Sequence, residues 1–351
     1  MRTPVTVGVV GVGEWGPLLV RTFDELATAE LRWLCDESPA ALLRLQPRFR
    51  SVRTTHDIDE LLDDEALDAV VIATPPATHY KLACRAIDAE KHVFVETPLA
   101  LTGAHATDLV DRATRHGRRL MTGHVLLFHP AIQRLKELLD AGRLGDIYYL
   151  LGSRSGVGRA RHDESVIWDL GPHDVATVLY LLGDEPVAVS AQGGSYGDAS
   201  LVDAAFCSLT FATGIQAHLH FSWLEPQRTR QLRVVGSAGM ALFDDLELEH
   251  KLTVCERLTP ASARLTNDAH NVVGDLVSPR LPIAEPLRLE CEHFVAVVRS
   301  TAEPIAGARE SACVVSVLEA LQNSLDRSGA EEAVGGALES ASVVPLPTSS
   351  L

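Results

Sequence analysis

At 351 residues, with 46% hydrophobic, 22% charged and 5% aromatic side chains, the chain can bury a sizeable core and divides naturally into two domains, which excludes a disordered or fibrous protein. Its 47 acidic against 31 basic side chains leave a formal net charge of −16, which argues against a nucleic-acid surface and against docking on anionic membranes, though not against a local basic pocket. Six scattered cysteines with no CxxC pair, an N-terminal MRTPVTVGVV without a long apolar stretch, and no apolar run approaching ~18 residues predict no disulfide framework, signal peptide or membrane span, and a cytoplasmic, reducing setting.

In chain order, apolar runs of strand length fall at 5–11, 31–35, 68–74, 92–96 and 119–123. They are continuous rather than alternating, as expected for strands buried on both faces. Helix-like stretches at 15–28, 39–46, 77–90 and 102–116 lie between them, with Pro75 and Pro76 stopping the 68–74 strand. This alternation predicts a parallel sheet wrapped by helices, a Rossmann domain over residues 1–125. The texture then changes. An amphipathic helix at 130–141 and a second at 172–182 precede runs at 187–192, 201–212, 215–223, 231–236 and 239–243, joined by glycine turns. These predict an antiparallel sheet. With helices at 285–300 and 308–327 they make an α+β domain over 126–327, followed by a loosely ordered tail at 328–351 rich in Gly, Ala, Ser and Pro. The expected fold is therefore α/β: an N-terminal Rossmann domain and a C-terminal α+β domain on an open, mainly antiparallel sheet. Phe206, Leu209, Phe211, Leu219, Phe221 and Trp223 alternate with smaller or polar residues, and this apolar face is expected to bury against a partner subunit, the alternative being cover by the chain's own helices.

Residues Gly11-Val12-Gly13-Glu14-Trp15-Gly16 read G-x-G-x-x-G between an apolar strand and a helix-like segment, the context in which that pattern binds dinucleotides. Gly11 permits the tight turn, Gly13 lets the backbone approach a pyrophosphate, and Gly16 lets helix and strand pack, with Glu14 and Trp15 carried between them at the cofactor. The helix N-terminus favours the negative phosphate. Asp36 ends the second strand, twenty residues after Gly16. A carboxylate there can bond both ribose hydroxyls and repel a 2′-phosphate, which favours NAD over NADP, with nearby Ser38 leaving NADP open. The bland alternative is a glycine-rich turn without a ligand.

Several further motifs, in order, carry a resemblance over residues 5 to 327: VGVVGVGEWG (7–16), ATPPATHY (73–80), KHVFVETPLALT (91–102), LGDIYY (144–149), WDLGPHD (168–174) and VVGSAGMALFDD (234–245). The chain resembles the Gfo/Idh/MocA oxidoreductases, and most of all the branch acting on nucleotide-linked sugars, notably sugar 3-dehydrogenases. The resemblance implies NAD(P)-dependent hydride transfer at a sugar or nucleotide-sugar hydroxyl or ketone, and a homodimer or homotetramer formed through the second sheet. It assigns pyrophosphate to Gly11, Gly13 and Gly16, and the adenosine ribose to Asp36. Thr74, Pro75 and His79 would follow the inner half of the cofactor, and Glu96 the nicotinamide ribose. Asp169 and His173, four apart, share a helix face. The resemblance makes His173 the acid/base, with Asp169 its orienter or a substrate anchor, chemistry that suits a group titrating near neutrality beside a carboxylate. The bland reading of His173 is a helix-start histidine satisfying backbone groups.

One departure bears on function. The family's usual Glu-Lys-Pro, whose lysine is a principal catalytic residue, is here Glu96-Thr97-Pro98. Threonine cannot carry the charge that polarises the reacting oxygen. Three readings stay open: a redox enzyme in which His173 carries the proton and Arg154, Arg159 or Arg161 replaces the cation; a non-redox or internally redox-neutral enzyme; or a catalytically silent relative that binds the cofactor. The basic SRSGVGRAR (153–161) suggests an anionic substrate such as a nucleotide sugar or sugar acid, against the alternative of a solvated loop. His124 and Trp168 complete the expected substrate wall. No HExxH, G-x-S-x-G or Walker A pattern is present, and no metal is expected.

Overall fold

The computed structural model describes residues 3–157, 164–197, 201–257 and 273–334. Six strands, β1 (Val5–Val10), β2 (Ala29–Cys35), β3 (Arg53–Thr55), β4 (Ala69–Ile72), β5 (His92–Val95) and β6 (Leu120–Thr122), form a wholly parallel sheet in the order β3-β2-β1-β4-β5-β6. Helices α1 (Gly16–Glu25), α2 (Pro39–Leu45), α3 (Ile58–Leu62), α4 (Pro76–Asp88) and α5 (Gly103–Arg115) connect them. Val7, Val9, Val70, Val71, Ile72, Val93 and Phe94 have no exposed surface, which is why these strands read as unbroken apolar runs. The strand order reverses between β1 and β4, and a doubly wound sheet opens its ligand crevice at that point. Neither β3 nor α3 was legible in the sequence. The strand is a three-residue edge without an apolar run, and the helix is a single short turn capped by Asp57, whose carboxylate accepts from the Asp59 N–H at 3.0 Å.

The second half contains α6 (Pro130–Asp140), β7 (Ile147–Ser155), α7 (Val166–Leu182), β8 (Pro186–Gly194), β9 (Ala204–Phe211), β10 (Gln216–Ser222), β11 (Thr229–Gly236), β12 (Gly239–Asp244), β13 (Leu252–Arg257), β14 (Val273–Val277), α8 (Pro286–Val298), α9 (Ala308–Asp326) and β15 (Glu332–Ala333). Its nine strands run β14-β13-β12-β11-β7-β10-β9-β8-β15, antiparallel except where β10 pairs β7. The sequence expectation of an open, mainly antiparallel sheet holds.

Four details correct the sequence reading. Helix α7 begins at Val166 rather than 172 and carries Pro172 inside it. Proline's fixed φ suits a helix, and its cost is the one bond its nitrogen would have given to the turn before. Second, Leu209, Phe211, Leu219, Phe221 and Trp223 are buried under the chain's own helices rather than left for a partner. A Cβ on Gly171 of α7 would stand 2.9 Å from Leu318 of α9 and 3.6 Å from Phe221 of β10, which shows how closely the layers meet. Phe206, opposite His220 across the β9–β10 pair, points the other way and is 61% exposed. Tyr149 and Leu151 of β7 share that outer face. Third, α8 returns to the first layer, where Phe294 meets Phe94 and Phe23 edge-on at centroid distances of 5.5 and 6.4 Å. Fourth, the start of the predicted tail is tied down, since Glu332 pairs with Val189 at the sheet edge; residues 335–351 lie outside the described residues.

Candidate active site

The glycine turn separates into two functions. Gly11 has φ +90°, and a Cβ there would stand 2.6 Å from the Ala73 carbonyl oxygen. One on Gly16 would stand 2.0 Å from the Gly11 carbonyl oxygen. Both glycines are therefore required by the chain's own backbone. Gly13 is different: a Cβ there would meet nothing within 4 Å, so its front is open toward the cleft. That bare, outward-facing backbone at a helix start is what a pyrophosphate needs. Asp36 stands beside it. Its Oδ2 accepts the Val12 N–H at 2.7 Å and its Oδ1 the Ser38 N–H at 2.8 Å, which locks the carboxylate at the end of β2.

A cleft of about 1680 Å³ runs from this turn into the second lobe. The first-lobe wall includes Gly11, Gly13, Glu14, Trp15, Asp36, Thr74, Pro75, Glu96 and Thr97. Trp15 Nε1 donates to Glu96 Oε1 at 2.6 Å, so indole and carboxyl bridge the crevice. Burial pushes Glu96 up to about 7, against the opposing pull of the Trp15 and Thr97 N–H groups. His79 is not on this wall. It faces inward from the first turn of α4, wholly buried, with ring nitrogens 2.8 Å from the Pro98 carbonyl and 2.7 Å from the Thr74 carbonyl. It braces the two turns whose residues do reach the cleft.

Across the cleft lie Arg154, Trp168, Asp169 and His173. Asp169 and His173 sit one turn apart on α7, as their spacing requires. Asp169 Oδ2 accepts the Trp223 indole N–H at 2.9 Å. Among the described residues His173 Nδ1 is buried without a partner. Burial drives the His173 pKa well below its usual value, and the charge of Arg154, His124 and Arg230 adds to the effect. The ring is held neutral by these surroundings. Arg154, at the end of β7, is itself buried and donates through Nε and Nη2 to Asp174. Burial opposes its charge, but Asp174 more than offsets this and its pKa is raised. His124 does not reach the cleft wall. It is buried, and burial draws its pKa down to about 4. Arg159 and Arg161 lie outside the described residues.

Sequence reasoning missed a second arginine. Arg230 of β11 is the direct cross-strand neighbour of Arg154 and lines the cleft, with Nη1 3.1 Å from Asp245 Oδ2. Arg228 lines it too. Only the adjacency of β11 and β7 brings these groups together. No local motif marks them.

Residues 5–124 match the family model described as an oxidoreductase family with an NAD-binding Rossmann fold, and residues 132–242 match the GFO/IDH/MocA C-terminal domain. The chain belongs to the Gfo/Idh/MocA oxidoreductase family. Within this family it is 32% identical over 247 residues to the UDP-N-acetylglucosamine 3-dehydrogenase of Acidithiobacillus ferrooxidans, covering 70% of this chain and 74% of that one. It is 28% identical over 265 residues to the scyllo-inositol 2-dehydrogenase (NAD(+)) of Bacillus subtilis, covering 72% and 73%. The solved structure of the A. ferrooxidans enzyme superposes with a TM-score of 0.81 at 26% identity, over 93% of this chain and 99% of that one. The open front of Gly13 and the locked Asp36 both lie within the 5–124 segment that matches the NAD-binding Rossmann model.

Proposed function

We propose that this Gfo/Idh/MocA protein is an NAD-dependent dehydrogenase or reductase of a sugar or nucleotide-sugar hydroxyl, with His173 as the acid/base. The observation that carries this is a half-buried histidine on the wall of the cleft that the glycine turn also lines, its Nδ1 buried without a partner among the described residues. Bound along Gly11, Gly13 and Gly16, NAD supplies the hydride acceptor. The chain's own work is to hold the substrate, take the hydroxyl proton and stabilise the developing alkoxide. His173 takes the proton. Arg230, beside Arg154 and within the electrostatic reach of His173, supplies the positive charge that Thr97 cannot. The two arginines on neighbouring strands suit an anionic substrate, and the A. ferrooxidans relative, named for a UDP-sugar, agrees with this. Asp36 favours NAD over NADP. Trp168 and Asp169 line the substrate side, with Arg159 and Arg161 as further anion-binding candidates. The exposed outer face of the second sheet, bearing Tyr149, Leu151 and Phe206, is the surface for a homodimer or homotetramer. All six cysteines carry free thiols. Among the described residues no helix is long and apolar enough to cross a membrane.

The deciding experiment follows nicotinamide absorbance with a panel of UDP-sugars and inositols. Steady cofactor turnover is the expected result. Conversion without net cofactor change would replace the reading with a redox-neutral enzyme, and cofactor binding with no conversion of any sugar would replace it with a silent binder. Thr97→Lys is expected to raise kcat/KM at least ~10-fold, part of the ~10²–10⁴ a positioned proton-transfer group provides. A variant that binds cofactor and sugar but gains nothing would count against a redox-competent site.

A further inference from the structure

The cleft is an unfavourable place for an anion. Glu14, Asp36, Glu37, Asp169, Asp245 and Glu285 stand on its walls, in a chain of formal net charge −16. A substrate that carries a permanent negative charge needs a cation that the chain has not already matched. Three arginines of the second lobe line the cleft, and they differ in burial and in partner. Arg154 is buried and held by Asp174 through Nε and Nη2. Arg230 is half-buried and donates to Asp245. Each answers a carboxylate of its own chain before it meets any ligand. Arg228 is exposed, and among the described residues it has no hydrogen-bond or ion-pair partner. On the first lobe, Arg85 pairs with Asp59 and acts on Cys35 at the end of β2, and Lys81 stands one turn before it on α4. Those two cations belong to the Asp36 side of the crevice.

The seat of Arg228 is built into the backbone. The residue enters β11 two positions before Arg230, and the period of a strand keeps the two on one side. It lies against Gly156, the residue after β7 and the first glycine of SRSGVGRAR. Gly156 has φ +150°, and a Cβ there would stand 3.2 Å from Arg228 Cγ and 3.3 Å from its Cα. Glycine admits this approach without moving the arginine or straining the turn.

We propose that Arg228 selects a negatively charged substrate, binding its phosphate or carboxylate at the exposed rim of the cleft while the hydroxyl that reacts lies deeper, beside His173. The proposal rests on the dehydrogenase reading for the hydroxyl but not for the anion. Arg154 and Arg230 are the arginines whose charge acts on His173, so they serve the charge that develops at the reacting oxygen. Arg228 serves the charge that the substrate brings with it. Its planar fork fits two oxygens of either group.

Calorimetric titration of the full chain with UDP and with glucuronate, each in the presence of NADH, reads the anion without turnover. Wild type is expected to bind at least one of them; UDP alone identifies phosphate as the group recognised, glucuronate alone carboxylate. Arg228→Gln is expected to weaken that binding ~10–100-fold, the loss of one or two charge-assisted hydrogen bonds. Arg228→Glu should weaken it further, and Arg228→Lys less than Arg228→Gln. Added salt should weaken the wild type more steeply than Arg228→Gln, because the contact lies at an exposed rim. Gly156→Ala displaces the arginine without removing its charge and should weaken the same ligand. In turnover, Arg228→Gln should raise KM for the anionic substrate with kcat changed less than ~3-fold, and the acid limb set by His173 should stay in place. Undiminished binding of the anion by Arg228→Gln, or an equal rise in KM for a neutral inositol, would overturn the proposal, as would a wild type that binds neither anion. A chain that binds the anion through Arg228 yet converts no sugar would instead overturn the dehydrogenase reading and leave this one standing.

Discussion

His173→Ala is expected to lower kcat/KM about 10²–10⁴-fold and to remove the acidic limb of its pH profile. The sign follows from the surroundings. A base acts unprotonated, so activity falls as pH drops through the pKa of the folded state, and here burial, Arg154, His124 and Arg230 all push that pKa below the usual histidine value. The wild-type limb should therefore lie well to the acid side of neutrality. Arg230→Gln provides a second, directional check. Removing one of the charges that depress His173 should move the limb to higher pH, while the loss of positive charge beside the reacting oxygen lowers the plateau. Cofactor affinity, measured by fluorescence quenching or calorimetry, should stay close to wild type in both variants, because neither side chain belongs to the glycine turn. Wild-type kcat/KM in His173→Ala would remove histidine from the chemistry. A limb that failed to move in Arg230→Gln would separate that arginine from it.

The parallel half was legible because its constraints are local. Strands buried on both faces leave continuous apolar runs, and Gly11 and Gly16 are forced by backbone contacts only a few residues away or across one strand pair. Asp36 was legible for the same reason, since the end of β2 lies next to the turn after β1. What escaped the sequence depends on long-range placement. Arg230 meets Arg154 because β11 pairs with β7 across 76 residues of chain, and nothing in either segment announces the partner. Helix α8 follows the second sheet yet packs on the first. His79 and His124 carry suggestive chemistry at suggestive positions, but helix and turn geometry aim them inward, where they brace or back the site. Pro172 misled in the opposite direction. It marks no helix start, and the helix running through it is what places Asp169 one turn before His173.

The glycine turn offers the other large effect, since its residues should fail in different ways. Gly13→Val is expected to fold with a Tm close to wild type yet lose at least ~100-fold in NAD affinity. At this position there is open space for a side chain, so the protein's own packing is not disturbed. The added methyls instead occupy the approach to the backbone where the pyrophosphate must come, and losing two charge-assisted hydrogen bonds, at about 1.5–3 kcal/mol each, corresponds to ~100-fold or more. Gly16→Val should do the reverse. Its Cβ would overlap the Gly11 carbonyl oxygen at 2.0 Å, so the strand-to-helix turn cannot close, and the loss should appear first as a lowered Tm or insoluble protein. Calorimetry with NAD and thermal unfolding on the two variants side by side therefore separate the ligand's requirement for glycine from the fold's. NAD bound by Gly13→Val with wild-type affinity would mean that the dinucleotide lies elsewhere than across this turn.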